Sequence, residues 1–514
     1  MGNRYGLLLS IFAGIYTILI SIYSVLRHYM YLTAGYDLGI FMQSLWTTVH
    51  GEGFFFNTAE WQDVGTYSHF GVHNSPILFI LLPIYRLLPR AEVLLVLQSI
   101  AVAAGALTLF RLARLMLDEK RAFYISLMYL LNPLVQGLNF FDFHPVTIAV
   151  PFIFLLPYYI ERKLYLRAIL VAFLVLSVKE DSGLILISIA LMYVFREYGL
   201  KLLVNPRRWR NTVGEEKFIL LLLVMGVLWI AISIFLVIPH FNGGRYPYFS
   251  DDTLRRYGGK VYPDKIAVYS LAALLSTAFL PLLNPKLFSA SLFLWLELFL
   301  SNCPTMLIIG TQYPYMLAPM LFIISVYNLR YLNEEKPRFR FNLKALVTVS
   351  LVSMLLFSPE FHLIDAPDYV ANPNFQGLVI SYIKWKPYLQ ILDMVTKKLD
   401  ESNCTIETQD TLFPHLANRI NTYHIVTPFK NTYLENNSIV LMATSLSDYK
   451  FSIRYLNSSR FKDTKYILIN VNDLILSCYN RTGDDYKQFR QCIYTAVERD
   501  IKKCEKLGAR NQWE

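Results

Sequence analysis

Leu7–Leu26 reads LLLSIFAGIYTILISIYSVL, and ten residues further on Tyr36–Gln43 reads YDLGIFMQ. The first stretch is as long as a helix must be to cross a hydrocarbon core of about 30 Å. Arg4 precedes it and no small-residue cleavage site follows, so it is expected to be an uncleaved anchor with its N-terminus in the cytoplasm. The second stretch puts the carboxylate of Asp37 just past the membrane exit, wet on one side and facing low dielectric on the other. A carboxylate costs several kcal/mol inside hydrocarbon, which makes one held at its edge a candidate functional group. The plainer reading is that Asp37 caps the helix beginning near Leu38.

The rest of the composition agrees with a membrane protein. The chain is 54% hydrophobic and 17% charged, with a mean hydropathy of +0.37, too apolar for an ordinary soluble protein and suited to a polytopic one in a lipid bilayer. The net charge of +10 sits mostly in short loops between apolar runs, as membrane orientation requires, and implies no nucleic-acid partner. Further spans are expected at Ala91–Leu117, Ala122–Leu138, Val146–Ile160, Leu166–Val178, Leu184–Phe195, Phe218–Pro239, Ile266–Leu283, Leu287–Leu300, Pro314–Leu329 and Ala345–Phe357. With the first, that makes about 11 transmembrane helices. Pro76–Leu88 is apolar but short and proline-framed, more like an interfacial or re-entrant piece. An inside start puts 20 Lys and Arg in cytoplasmic segments through Lys344 and 9 outside, as the positive-inside rule expects.

The fold expectation is an all-α polytopic membrane domain over residues 1–360, with a first external loop at 31–90, and a C-terminal extracytoplasmic soluble α/β domain over 361–514. Four glycosylation sequons, at Asn403, Asn436, Asn457 and Asn480, all lie in that tail, and such acceptors serve only on an exterior surface. The multi-pass chain is thus placed in the cell membrane with its tail outside, as an envelope glycoprotein. Four of the five cysteines, Cys404, Cys478, Cys492 and Cys504, share the tail. They are either one or two disulfides of unread connectivity or small buried thiols. β-rich runs at Thr422–Val426, Ser438–Met442 and Tyr466–Val471 alternate with helical pieces at Tyr388–Leu399 and Tyr486–Lys503, after a proline-containing linker at Pro359–Pro373.

This topology puts four polar clusters on one face: Asp37; His69 with His73; Asp142 with His144; and Lys179-Glu180-Asp181. Each is clamped between apolar runs, and they are expected to meet in one site. His69 and His73 stand four apart, so on a helix they share a face and are candidate ligands of a divalent cation, although two ligands are too few and Gly71 and Pro76 weaken the helix. Asp142-Phe143-His144-Pro145 also reads as a turn in which Asp142 orients its neighbours. Lys179-Glu180-Asp181 also reads as a self-neutralised ion cluster, but three adjacent ionisable residues between membrane helices favour function.

Taken together, YDLGIFMQSLW, HFGVHNSP, FDFHP and KEDSGL resemble the prokaryotic predicted membrane proteins that carry domain of unknown function 2079. That family is itself distantly similar to membrane glycosyltransferases of the GT-C fold. The resemblance covers about residues 1–360. It implies a GT-C-like bundle, a polyprenyl-phosphate-linked sugar as donor, and an acidic residue after the first span as base. Asp37 matches that position, but the Asp-Glu or Asp-x-Asp pair of many members is missing here.

The chemistry such a reaction needs is present in kind. A base must serve the acceptor and a cation the leaving phosphate. Asp37 is the candidate base; Lys179, Arg245, Arg255 and Arg256 are candidate phosphate ligands, arginine being better shaped for bidentate contact. Gln43, His69, His73, Asp142, His144, Glu180, Asp181 and Tyr313 are expected to position the substrate. The acceptor is an envelope protein, glycan or lipid, and a divalent cation is the one cofactor suggested. Two other classes stay open: a secondary transporter, which favours midplane charges on repeated broken helices, and a non-catalytic envelope glycoprotein.

Overall fold

The first apolar run forms one uninterrupted helix, Arg4–Tyr29, in a computed structural model of the chain. The structure describes residues 4–204, 213–250, 261–335, 342–359, 375–425, 438–442, 467–482 and 486–511. Among the described residues four helices are long and apolar enough to cross a membrane: Arg4–Tyr29, Ala91–Ala113, Glu215–Phe241 and Tyr313–Leu332. Their burial sorts them. The Tyr313–Leu332 helix is 83% buried and runs through the middle, while Arg4–Tyr29 is 28% and Glu215–Phe241 22% buried, so these two form the rim. On the first helix Leu7, Ile11, Ile15, Ile18 and Ile22 are exposed at three- and four-residue intervals, an apolar stripe with no protein against it. Ala91–Ala113 packs between Arg4–Tyr29 and Val150–Glu161.

Several other apolar runs are broken. Ala122–Leu138 divides into the helices Glu119–Leu130 and Pro133–Phe140, because Asn132 caps the second through bonds from the Leu134 and Val135 amides and Pro133 cannot continue the first. Ile266–Leu283 stops as a helix at Ser276 and turns through the positive φ of Ala278 and Phe279. Leu287–Leu300 becomes two short helices, Pro285–Phe288 and Leu292–Phe299, joined by a 3₁₀ turn. Pro76–Leu88 holds the ten-residue helix Leu78–Leu87.

In the tail, β1 (Ile406–Thr408), β2 (Thr422–His424), β3 (Ile439–Met442) and β4 (Ile467–Asn470) form a parallel sheet in the order β2-β1-β3-β4. Ile406 pairs with both Thr422 and Ile439. β1 was not among the expected strands; at three residues, it is too short for alternation to mark it. The helix expected over Tyr388–Leu399 instead runs Phe375–Asp400 with Pro387 inside it, so proline did not end the helix as sequence rules suggest. The linker at 360–373 lies outside the described residues. Disulfides join Cys404 to Cys504 and Cys478 to Cys492, leaving Cys303 free.

The tail is packed onto the membrane part. Tyr31 belongs to the same buried cluster as Leu392, Leu416 and Ile439, and its hydroxyl lies 3.1 Å from Thr396 Oγ1.

Candidate functional site

Where the helix ends meet the tail there is a cleft of about 270 Å³, lined among others by Asp37, Glu60, Asp63, His69, His73, His144, Lys179, Asp181, Tyr248, Glu297, Gln312, Tyr313 and Tyr315. Residues from all four polar clusters therefore share one wall of space. Its size is just below the range of about 300–1,000 Å³ usual for small-molecule sites.

Asp37 sits in a π-helical turn, Gly35–Gly39, that feeds the helix Ile40–His50, a geometry that recurs at functional positions. Three carboxylates shape this turn. Asp142 accepts from the Ala34 amide and pairs with Arg27 at 3.2 Å. Asp410, from the tail, accepts from the Gly35 and Tyr36 amides at 3.0 and 3.2 Å. The third is Asp37 itself, whose Oδ1 stands 3.0 Å from His144 Nε2.

The hydrogen bonds assign protons here. His144 Nδ1 lies 2.9 Å from the Asp142 backbone oxygen, which can only accept, so Nδ1 carries a hydrogen. A carboxylate and a bare Nε2 are both acceptors. The Asp37–His144 contact therefore holds one shared proton, on one atom or the other. Asp142 is 3% exposed, and burial pushes its carboxyl up from 3.8 to about 6 against the pull of Arg27.

Two further His–carboxylate pairs face the same space. His69 Nδ1 is 2.8 Å from Glu60 Oε1, while Asn57 Nδ2 donates to the other oxygen at 2.5 Å. The His69 ring is 1% exposed, and its Nε2 has no hydrogen-bond partner among the described residues. His73 Nδ1 contacts Glu180 at 2.9 Å and its Nε2 meets the Tyr248 hydroxyl at 2.9 Å. On either side of Glu180 in the chain, Lys179 Nζ pairs with Asp181 Oδ2 at 2.5 Å, and the Tyr315 hydroxyl donates to Asp181 Oδ1 at 2.6 Å.

Other expected site residues lie elsewhere. Asp142 and Glu180 stand behind the wall and hold His144, Arg27 and His73 in place. Gln43 turns to the tail: its amide donates to Arg419 O at 2.8 Å and its oxygen accepts from the Thr58 amide at 2.8 Å. Arg245 is exposed and off the lining; Arg255 and Arg256 lie outside the described residues. Asn403 and Asn480 are exposed, whereas Asn436 and Asn457 lie outside the described residues. Among the described residues no three His, Cys, Asp or Glu side chains gather as candidate metal ligands, and both His73 nitrogens face partners, Glu180 and Tyr248.

Sequence reasoning passed over Glu60, Asp63, Tyr248, Glu297 and Tyr315. Glu297 carried a usable signal, because a lone carboxylate within LFLWLELFL is an ionisable group in an apolar run. Glu60 resembled an ordinary first-turn acid, and its pairing with His69 exists only in three dimensions.

The tail packs tightly against the turn that carries Asp37. A Cβ on Gly35 would collide with the His424 ring, and one on Gly39 would come 2.6 Å from Phe413 Cδ1. The glycines of the YDLG turn are thus needed for close approach of the tail.

Residues 27–470 match the model of a family described as predicted membrane protein (DUF2079). Among solved structures, the crystal structure of ArnT from Cupriavidus metallidurans bound to undecaprenyl phosphate is similar. It has 10% identity, covers 93% of this chain and 92% of that one, and gives a TM-score of 0.46. No curated protein matches the chain.

Proposed function

The chain belongs to the DUF2079 family of predicted membrane proteins, and from that premise we propose that it is a membrane glycosyltransferase. The cleft takes a sugar from a polyprenyl-phosphate donor and passes it to an envelope acceptor at the outer face. The tail stands on that face as an extracytoplasmic domain, and the bundle is GT-C-like. The observation that carries this reading is the pairing, in one cleft beside apolar helices, of an Asp37–His144 couple with the Lys179–Asp181–Tyr315 group.

In the proposed step Asp37, ionised beside a protonated His144, takes the acceptor hydroxyl proton as that oxygen bonds to the anomeric carbon. The bond from that carbon to the phosphate oxygen breaks, and its electron pair leaves with the phosphate, whose growing charge Lys179 meets. Glu60–His69 and His73–Glu180 hold sugar hydroxyls: the unpartnered His69 Nε2 is one contact and the Tyr248 hydroxyl a second.

The test is to assay membranes bearing wild type, Asp37→Asn and Lys179→Ala with lipid-linked sugars and envelope acceptors. Loss of the base should cost about 10²–10⁴-fold in turnover at unchanged abundance. Undiminished transfer by Asp37→Asn would remove the base assignment, and absence of any transfer by wild type across donors would remove the reading.

A further inference from the structure

We infer that the first half of the helix Phe375–Asp400 lies in the headgroup layer of the bilayer and seats the α/β tail on a phospholipid surface. The tail is then a monotopic attachment, not a freely solvated domain. This holds whatever reaction the cleft performs.

Depth is the first argument. Leu378 is buried in one cluster with Tyr23 and Phe140, against which Leu26 and Met30 also pack. Tyr23 lies six residues before the end of the first helix at Tyr29, or about 9 Å below it at 1.5 Å per residue. That helix, at 26 residues, is about 39 Å long against a core of about 30 Å, so its last turns occupy the interface. With Leu7–Leu26 spanning the core, Tyr23 lies about 4.5 Å inside its outer edge, so Leu378 is held just below that edge, the depth reached by the apolar face of an interfacial helix.

Inclination is the second. At the other end of the tail helix Thr396 meets Tyr31. Between Leu378 and Thr396 the helix advances about 27 Å, while Tyr23 and Tyr31 on the first segment differ in height by at most about 16 Å, six helical residues to Tyr29 and two beyond it. It lies nearer to the membrane plane than to the normal, the posture of an interfacial helix.

The third is chemistry. Ile380 and Ile383 are 59% and 68% exposed, on the side of the helix turned away from Leu378. The exposed residues Lys384, Trp385, Lys386 and Pro387 follow, with the Lys384 ammonium 5.8 Å from the centre of the Trp385 ring. Tryptophan and lysine are the residue types that settle at this level: the indole spans the apolar boundary, and the ammonium reaches lipid phosphates while its stem stays in apolar surroundings. The exposed Tyr29 at the end of the first helix lines one groove with Tyr382 and Lys386 of the tail helix, so the surface at the end of the first helix continues onto the tail. Among possible occupants, this continuity and the two lysines single out a phospholipid surface.

The full chain, with Cys303→Ser and both disulfides intact, is labelled with a nitroxide at I383C and reconstituted in nanodiscs of phosphatidylethanolamine and phosphatidylglycerol. The reference is a label at Lys397, exposed on the same helix. Collision with oxygen should exceed collision with a water-soluble nickel chelate at position 383, and the order should reverse at 397. A position 383 that reads like 397 overturns the inference. Shielding from both reagents would also overturn it, since a second protein surface would then cover the patch. If I383C does not fold, the same measurement at I380C decides.

Discussion

Replacing Asp142 by asparagine should abolish a proton-linked gain in stability between pH 7 and pH 5. The carboxyl is almost fully buried, and its pKa is raised from 3.8 to about 6, by burial first, with Arg27 opposing and Asp37 adding to the rise. A folded-state pKa above the unfolded one means that the folded chain binds the proton more tightly. The stability tied to this residue therefore increases as pH falls through 6 and levels off below 3.8. The full shift is worth about 3 kcal/mol, and the portion released between pH 7 and pH 5 is about 1 kcal/mol. The assay is denaturant unfolding of purified wild type and Asp142→Asn at several pH values in one detergent, so that titrating groups not coupled to Asp142 cancel in the difference. Wild type should gain about 1 kcal/mol relative to the variant on acidification. Parallel profiles would refute the argument. A relative loss by wild type would show that the 3.2 Å pairing with Arg27 outweighs burial and holds the carboxylate ionised.

Gly39→Ala puts a methyl 2.6 Å from the ring of Phe413, which is fully buried and cannot swing away. Overpacking of about 1–3 kcal/mol is expected, visible as faster hydrogen exchange at the Gly35 and Tyr36 amides that Asp410 holds. Opening Cys404–Cys504, which spans 100 residues, should cost about 4–5 kcal/mol. Opening Cys478–Cys492, which spans 14, should cost about 3 kcal/mol on the chain-entropy account. The order of denaturation midpoints for Cys404→Ser and Cys478→Ser checks this. Tyr315→Phe removes the hydroxyl that donates to Asp181 at 2.6 Å. A bond to a charged group is worth about 1.5–3 kcal/mol, so turnover of lipid-linked sugar should fall about tenfold or more at unchanged abundance.

Individual residues tell how far sequence reasoning reached. His69, His73, His144, Lys179 and Asp181 could be nominated because each is an ionisable group pinned between apolar runs, where solvation alone does not explain it. Gln43, nominated as part of the YDLGIFMQ stretch, and Arg245, nominated as a phosphate-binding cation of an outer loop, lie off the cleft. Chemical type says nothing of direction, and Gln43 faces Arg419 and Thr58. Glu60 was passed over because its importance lies in the partner it faces. Asp410 was passed over because its role depends on a segment more than 370 residues away in sequence.

Membrane character and the segregation of charge to segment ends were determined by composition and one-dimensional order, since transfer free energies act on each residue wherever its neighbours lie. Family membership was already written in four short motifs. Tertiary structure alone decided which partners the ring nitrogens of His69, His73 and His144 face, which helix is central, and that the tail packs against the YDLG turn. Those outcomes depend on contacts of a few ångströms between distant segments, and neither hydropathy nor spacing encodes such distances.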